Sequence, residues 1–75
     1  MLRVNEGYTI LKAERYSKDY EIVIAVNKVM TYVTWECKGQ TDYFWGHYFT
    51  DYATALRDYH TRLAKQYDLQ IKEPG

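Results

Sequence analysis

The sequence predicts an α+β fold in which a four-stranded antiparallel meander sheet is followed by one C-terminal helix packed on one face (ββββα). Residues 8–49 are rich in Tyr, Val, Ile, Thr and Trp, which favour strands. Residues 51–67 instead carry large apolar side chains at helical spacing. We therefore predict one domain over residues 1–69, followed by a flexible C-terminal tail over residues 70–75.

Three short segments predict the turns of the meander. Asn tolerates a positive φ, so Asn27-Lys28 is expected to form a two-residue turn, and Ser17-Lys18 is expected to form another. The segment Lys38–Asp42 contains the third turn. These turns would pair Ala13 with Ile22, Val26 with Val29, Ile22 with Val33, Cys37 with Phe44, Trp35 with Gly46, and Thr34 with His47.

The helix is predicted from an apolar stripe with spacing 4, 3, 4, 4. Thr50 is the expected N-cap, and Asp51 beside it complements the helix dipole. Asp58 and Arg62 are four positions apart, and we expect them on the outer face. The helix is expected to fade by Leu69. The stripe consists of Tyr52, Leu56, Tyr59, Leu63 and Tyr67.

One helix can cover only one face of such a sheet, so the other face is expected to stay open. In the predicted registers, the covered face collects Leu11, Ala13, Ile22, Ile24, Val26, Val29, Val33, Trp35, Cys37, Phe44 and Tyr48. The open face carries Tyr8, Ile10, Lys12, Glu14, Val23, Ala25, Met30, Tyr32, Thr34, Glu36, Tyr43, Trp45, His47 and Phe49.

The open face and the last strand are the predicted contact surface. Soluble monomers rarely leave a contiguous apolar patch in water, and Trp, Tyr and Met are typical interface anchors. Residues 43–49 are mostly aromatic and would leave one strand edge unpaired. The predicted partner-binding residues are Tyr32, Tyr43, Trp45, His47, Met30 and Tyr48.

The residues needed for catalysis or cofactor binding do not form a recognisable pattern. Ser17 is the one serine and lies in a predicted turn, and Cys37 and His47 are expected on opposite faces. One cysteine and two histidines are too few for a structural zinc site. We predict that the chain is not an enzyme and has no cofactor or metal. A lone thiol fits a reducing compartment, so the predicted location is the cytoplasm.

The charge balance restricts the possible partners. Ten basic and ten acidic residues give a net charge of zero, whereas sequence-independent nucleic-acid binders usually have a basic excess. An alternative function remains open, because Tyr32, Tyr43 and Trp45 could stack the bases of a single strand. No apolar run is long enough to span a bilayer, so no membrane association is expected.

The strings Tyr-Val-Thr-Trp-Glu (32–36) and Tyr-Phe-Trp-Gly-His-Tyr-Phe (43–49) precede Thr-Asp and an Ala-rich helix. In this region, roughly residues 32–65, the chain resembles small uncharacterised proteins of phages and mobile elements of Gram-positive bacteria. The resemblance implies no catalytic residues. It implies a role in blocking a host enzyme, as anti-CRISPR proteins do.

The sequence thus predicts a small non-enzymatic protein-binding module. Its expected partner is a host defence protein such as a CRISPR nuclease, or a second copy of the chain in a homodimer. The alternatives are a single-stranded nucleic-acid binder and a structural homo-oligomer.

Overall fold

The computed structural model describes residues 3–72, with side chains described as far as Leu69. An antiparallel sheet, curled as a half-barrel, is followed by one C-terminal helix, which confirms the α+β class. The sheet has five strands in sequential order rather than four. The elements are β1 (Val4–Asn5), β2 (Tyr8–Arg15), β3 (Tyr20–Val26), β4 (Tyr32–Lys38), β5 (Asp42–Phe49) and α1 (Tyr52–Lys72).

The additional strand is β1, which pairs with the start of β2. The turn between them contains Glu6 and Gly7, both at positive φ. Sequence reasoning missed β1 because two residues are too few to show an alternating pattern. The predicted last strand, β5, does lie at an edge of the sheet.

The predicted two-residue turn at Asn27-Lys28 is wrong. The connection is a loop over residues 27–31 in which Asn27 Oδ1 accepts the backbone N–H groups of Val29 at 3.1 Å and Thr31 at 2.8 Å. Met30 adopts a left-handed φ of 62°. Val26 therefore pairs with Tyr32 instead of Val29.

Because of this longer loop, the side chains of β4 point to the opposite faces of the sheet from those predicted. Ile22 lies opposite Glu36 rather than Val33, a shift of three residues. An odd shift exchanges the two faces of a strand. Tyr32 therefore faces the helix, and Trp35 lies on the other side of the sheet.

The β4–β5 hairpin was predicted correctly in part. Thr34 does pair with His47, but Cys37 lies opposite Tyr43 instead of Phe44. A bulge accounts for the difference, because Trp45 and Gly46 occupy the space opposite Trp35. As predicted, the Trp35 side chain lies over Gly46, and a Cβ at Gly46 would be 2.8 Å from Trp35 Nε1.

The β2–β3 hairpin also departs from the predicted register. Ala13 pairs with Val23 rather than Ile22, because residues 16–19 form the connection instead of Ser17-Lys18 alone. A second irregularity lies between Ile10 and Lys12, and the intervening Leu11 is exposed.

The sheet has a hydrophobic core on each face. The core under the helix contains the predicted Tyr59 and Leu63, with Leu56 packed against it, and it also includes Ala55. The helix-free face buries Ile10, Val23, Ala25, Val33, Trp35 and Cys37.

The helix-free face is therefore not the open apolar surface that the sequence predicted. The curled sheet brings Tyr8 and Tyr43 onto Trp35, with ring centroids 5.4 and 5.3 Å away. Trp35 is only 4% exposed as a result. Arg3 adds an ion pair of 2.7 Å to Glu21 and donates to Tyr43 Oη at 2.7 Å.

The helix begins one residue later than predicted. Asp51, not Thr50, is the N-cap, since its Oδ2 accepts the Thr54 N–H at 2.8 Å. The hydrogen bonds that the Thr54 N–H and hydroxyl donate to the Asp51 carboxyl hold its pKa below the usual value. The helix extends through Lys72, so it overlaps the predicted tail 70–75, and residues 73–75 lie outside the described part of the chain.

Within residues 3–72, no helix combines the length and the apolar character that crossing a bilayer requires.

Candidate partner-binding site

A groove of about 570 Å³ lies between the helix and the edge strand β5, and we call it the α1–β5 groove. Trp45 and His47 contribute from β5, and Glu36 contributes from the neighbouring strand β4. The helix wall consists of Arg62, Lys65, Gln66 and Leu69.

Trp45 is the most exposed aromatic side chain of the groove. It is 70% exposed, and its φ of 54° is left-handed. Only Gly, and occasionally Asn or Asp, adopts this conformation routinely, so a tryptophan here is strained. Its ring and that of Phe44 form a T-shaped pair, with the ring centroids 5.0 Å apart.

His47 is held by the helix. Its Nδ1 lies 3.0 Å from Asp58 Oδ2, and that same oxygen accepts the Thr34 hydroxyl at 2.5 Å. Asp58 therefore faces the sheet, which corrects its predicted position on the outer face. The ring is fixed at one nitrogen, while about half of the side chain remains exposed.

Arg62 also faces the sheet rather than solvent. Its Nη1 donates to the Thr34 carbonyl and hydroxyl oxygens, both at 3.1 Å. Its Nη2 lies 4.0 Å from Glu36 Oε2, and the other Glu36 oxygen accepts the Tyr16 hydroxyl at 2.5 Å. The groove is thus built on a polar network whose charges largely compensate one another.

The six predicted contact residues do not form one surface. Trp45 and His47 come together in the groove, whereas Tyr32 is 9% exposed and packs under the helix against Tyr52. Tyr43 and Tyr48 are on the helix-free face, and Met30 is exposed in the β3–β4 loop.

The proposed base-stacking platform of Tyr32, Tyr43 and Trp45 is consequently not assembled. Tyr32 is buried under the helix, Tyr43 packs on Trp35 across the sheet, and only Trp45 is open. Burial also raises the pKa of the Tyr43 hydroxyl.

Sequence reasoning missed the helix wall of the groove. Positions 62, 65, 66 and 69 follow the spacing i, i+3, i+4, i+7 and so share one face. This pattern was available in the sequence, but three of its four residues are polar and it runs beside a more obvious apolar stripe.

The one cysteine of the chain, Cys37, lies outside the α1–β5 groove. Cys37 is buried on the helix-free face, and burial raises the pKa of its thiol, so the reactive thiolate is disfavoured. Among the described residues, no three His, Cys, Asp or Glu side chains come together as metal ligands.

No family model, curated protein or solved structure matches the chain.

Proposed function

We propose that the chain is a non-enzymatic protein-binding module that contacts its partner through the α1–β5 groove, with Trp45 as the anchor. The observation that carries this proposal is the open and strained position of Trp45. A left-handed conformation costs about 1–2 kcal/mol in a non-glycine residue. An exposed indole recovers little of this cost by burial within its own chain.

Binding to a partner would remove the indole from water, and the free energy of this burial would offset the cost of the left-handed backbone. Tryptophan is enriched among the residues whose truncation costs interfaces most. Strained backbone positions also cluster at functional sites. The rest of the groove supplies a polar rim, with Lys65 and the free side of His47 available for hydrogen bonds.

For the identity of the partner, we propose a protein of a bacterial host, such as a CRISPR nuclease. The support is the resemblance to small phage and mobile-element proteins. A chain of zero net charge lacks the acidic surface of a DNA mimic, so aromatic contacts are the expected mode of inhibition.

The test compares capture of host proteins by the wild type, Trp45→Ala and Met30→Ala. Met30 is a matched control, because it is exposed and left-handed like Trp45 but lies in the β3–β4 loop, outside the α1–β5 groove. We expect a protein that the wild type and Met30→Ala retain and that Trp45→Ala binds with about 2 kcal/mol less free energy. Mass spectrometry identifies it, and titration with the purified partner measures the loss.

Circular dichroism must show that Trp45→Ala remains folded. Equal capture by all three chains would refute the groove as the contact surface. The narrower proposal is tested by adding the chain to a purified CRISPR nuclease from a Gram-positive host. Unchanged DNA cleavage would reject that nuclease as the target.

A further inference from the structure

The two edges of the sheet are protected very differently. β1 covers only the start of β2, and the remaining outer edge of β2 carries Lys12, Glu14 and Arg15, all exposed. Charges of this kind prevent an edge from pairing with another chain. In β5, by contrast, Asp42 at the start of the strand is followed by residues 43–49, which include no Lys, Arg, Asp or Glu.

The bulge gives β5 an internal symmetry. In a regular strand, residues an odd number of positions apart lie on opposite faces. Because Trp45 and Gly46 together oppose Trp35, this rule is broken across the bulge. Tyr43 and Tyr48 both lie on the helix-free face, and Phe44 and His47 both lie on the helix side.

We infer that β5 pairs antiparallel with β5 of a second copy of this chain, about a two-fold axis between Trp45 and Gly46. Residues directly opposite one another in an antiparallel pair must share a face. The register about this axis meets that condition at the two pairs on either side of the bulge, and at the bulge itself Trp45 lies opposite Gly46, which has no side chain. It places Tyr43 opposite Tyr48 of the second copy, Phe44 opposite His47, and Trp45 opposite Gly46.

The side chains brought together in this register suit one another. Aromatic cross-strand pairs stabilise antiparallel strands, and a glycine opposite Trp45 brings no side chain that could clash with the indole. The chain has zero net charge, so two copies do not repel each other at long range. A 75-residue chain without a disulfide also gains from a partner that extends its core.

This inference goes beyond the proposed function, because it concerns a different partner and chiefly the backbone of β5, although Trp45 lies in both contacts. The two copies would contact each other mainly through backbone hydrogen bonds between their β5 strands, and the α1–β5 groove would contribute less to this contact. With the axis perpendicular to the sheet, both helices lie on the same side and the two grooves become neighbours.

The test is sedimentation equilibrium across a concentration series of the full chain, using two matched substitutions. Tyr48 and Met30 are both 59% exposed, but Tyr48 is on β5 and Met30 is in the β3–β4 loop. Tyr48→Lys places a charge inside the inferred contact, opposite Tyr43 of the second copy, whereas Met30→Lys places the same charge outside it. We expect a dimer for the wild type and for Met30→Lys, and a monomer for Tyr48→Lys.

A wild type that stays monomeric at millimolar concentration would overturn the inference. A dimeric Tyr48→Lys, or a monomeric Met30→Lys, would place the contact elsewhere and overturn it as well. Circular dichroism confirms that Tyr48→Lys is folded, and Tyr48→Phe, which adds no charge, must remain dimeric. Host-protein capture is measured separately with Trp45→Ala, so a chain that dimerises without capturing a host protein refutes the proposed function alone.

Discussion

At the scale of single residues, the two tryptophans have opposite roles although they come from neighbouring strands. Trp35 is enclosed by Tyr8 and Tyr43 and lies against the backbone of Gly46. Trp45 lies beside that same glycine, but the bulge turns it to the helix side, where its ring is open. One indole therefore stabilises the fold, and the other is available for contacts.

Replacing Trp45 with glycine should raise the free energy of unfolding by about 1 kcal/mol, because glycine adopts a left-handed φ without a Cβ penalty. Urea denaturation measures this change. Trp35→Ala is the comparison, and we expect it to lower the free energy of unfolding by about 3–5 kcal/mol. A fall for Trp45→Gly similar to that for Trp35→Ala would mean that the exposed indole is also a packing residue.

Trp45 and His47 were predicted as contacts because an aromatic segment without Lys, Arg, Asp or Glu at a strand edge is visible in the sequence, and the structure places both in the α1–β5 groove. The sequence was insufficient for Tyr32, whose ring packs against Tyr52 of the helix. Tyrosine suits both a buried and an exposed position, so its identity alone does not choose the face.

At the scale of elements, the choice of face for β4 depended on one loop. The Asn27 side chain accepts two backbone N–H groups and organises a loop three residues longer than the predicted turn. A slip of one or three residues exchanges the faces of β4. Hydrophobic alternation could not reveal the error, because both faces of β4 are buried, from Tyr32 to Cys37.

The contact between helix and sheet depends on a polar contact that sequence spacing did not predict. Asp58→Ala would leave the buried Thr34 hydroxyl without its carboxylate acceptor, and we expect the free energy of unfolding to fall by about 1–3 kcal/mol. Thr34→Val combined with Asp58→Ala should cost less than the sum of the two single changes, since neither partner is then left unpaired.

Thermal and urea unfolding of the four chains in this cycle give the coupling energy between Thr34 and Asp58. Lys65→Ala, at an exposed position of the same helix, should change stability little. Additive costs for the two substitutions would show that the hydroxyl–carboxylate contact does not help to hold the helix on the sheet.

At the scale of the whole molecule, curvature decides which surfaces are open. The sequence indicated the meander order and the C-terminal helix, and both follow from local patterns. The curl of the sheet did not follow, because its irregularities at Leu11 and Trp45 add single residues that leave the strand composition unchanged. The helix-free face, which was predicted to be an open contact surface, is instead covered in part by the rings of Tyr8 and Tyr43 packed on Trp35.

Alkaline pH should weaken the whole fold through Tyr59, which lies in the core under the helix. Burial raises the pKa of Tyr59 to about 12, above its ordinary value of 10.0. The unfolded chain then releases this proton at a lower pH than the folded chain. The stability contribution is fully present below pH 10 and is lost as the pH rises towards 12, at about 1.4 kcal/mol for each unit of difference between the two pKa values.

Urea unfolding near pH 8 and near pH 11 should therefore show a smaller alkaline loss of stability for Tyr59→Phe than for the wild type. Equal losses in the two chains would mean that the Tyr59 hydroxyl reaches water in the folded state.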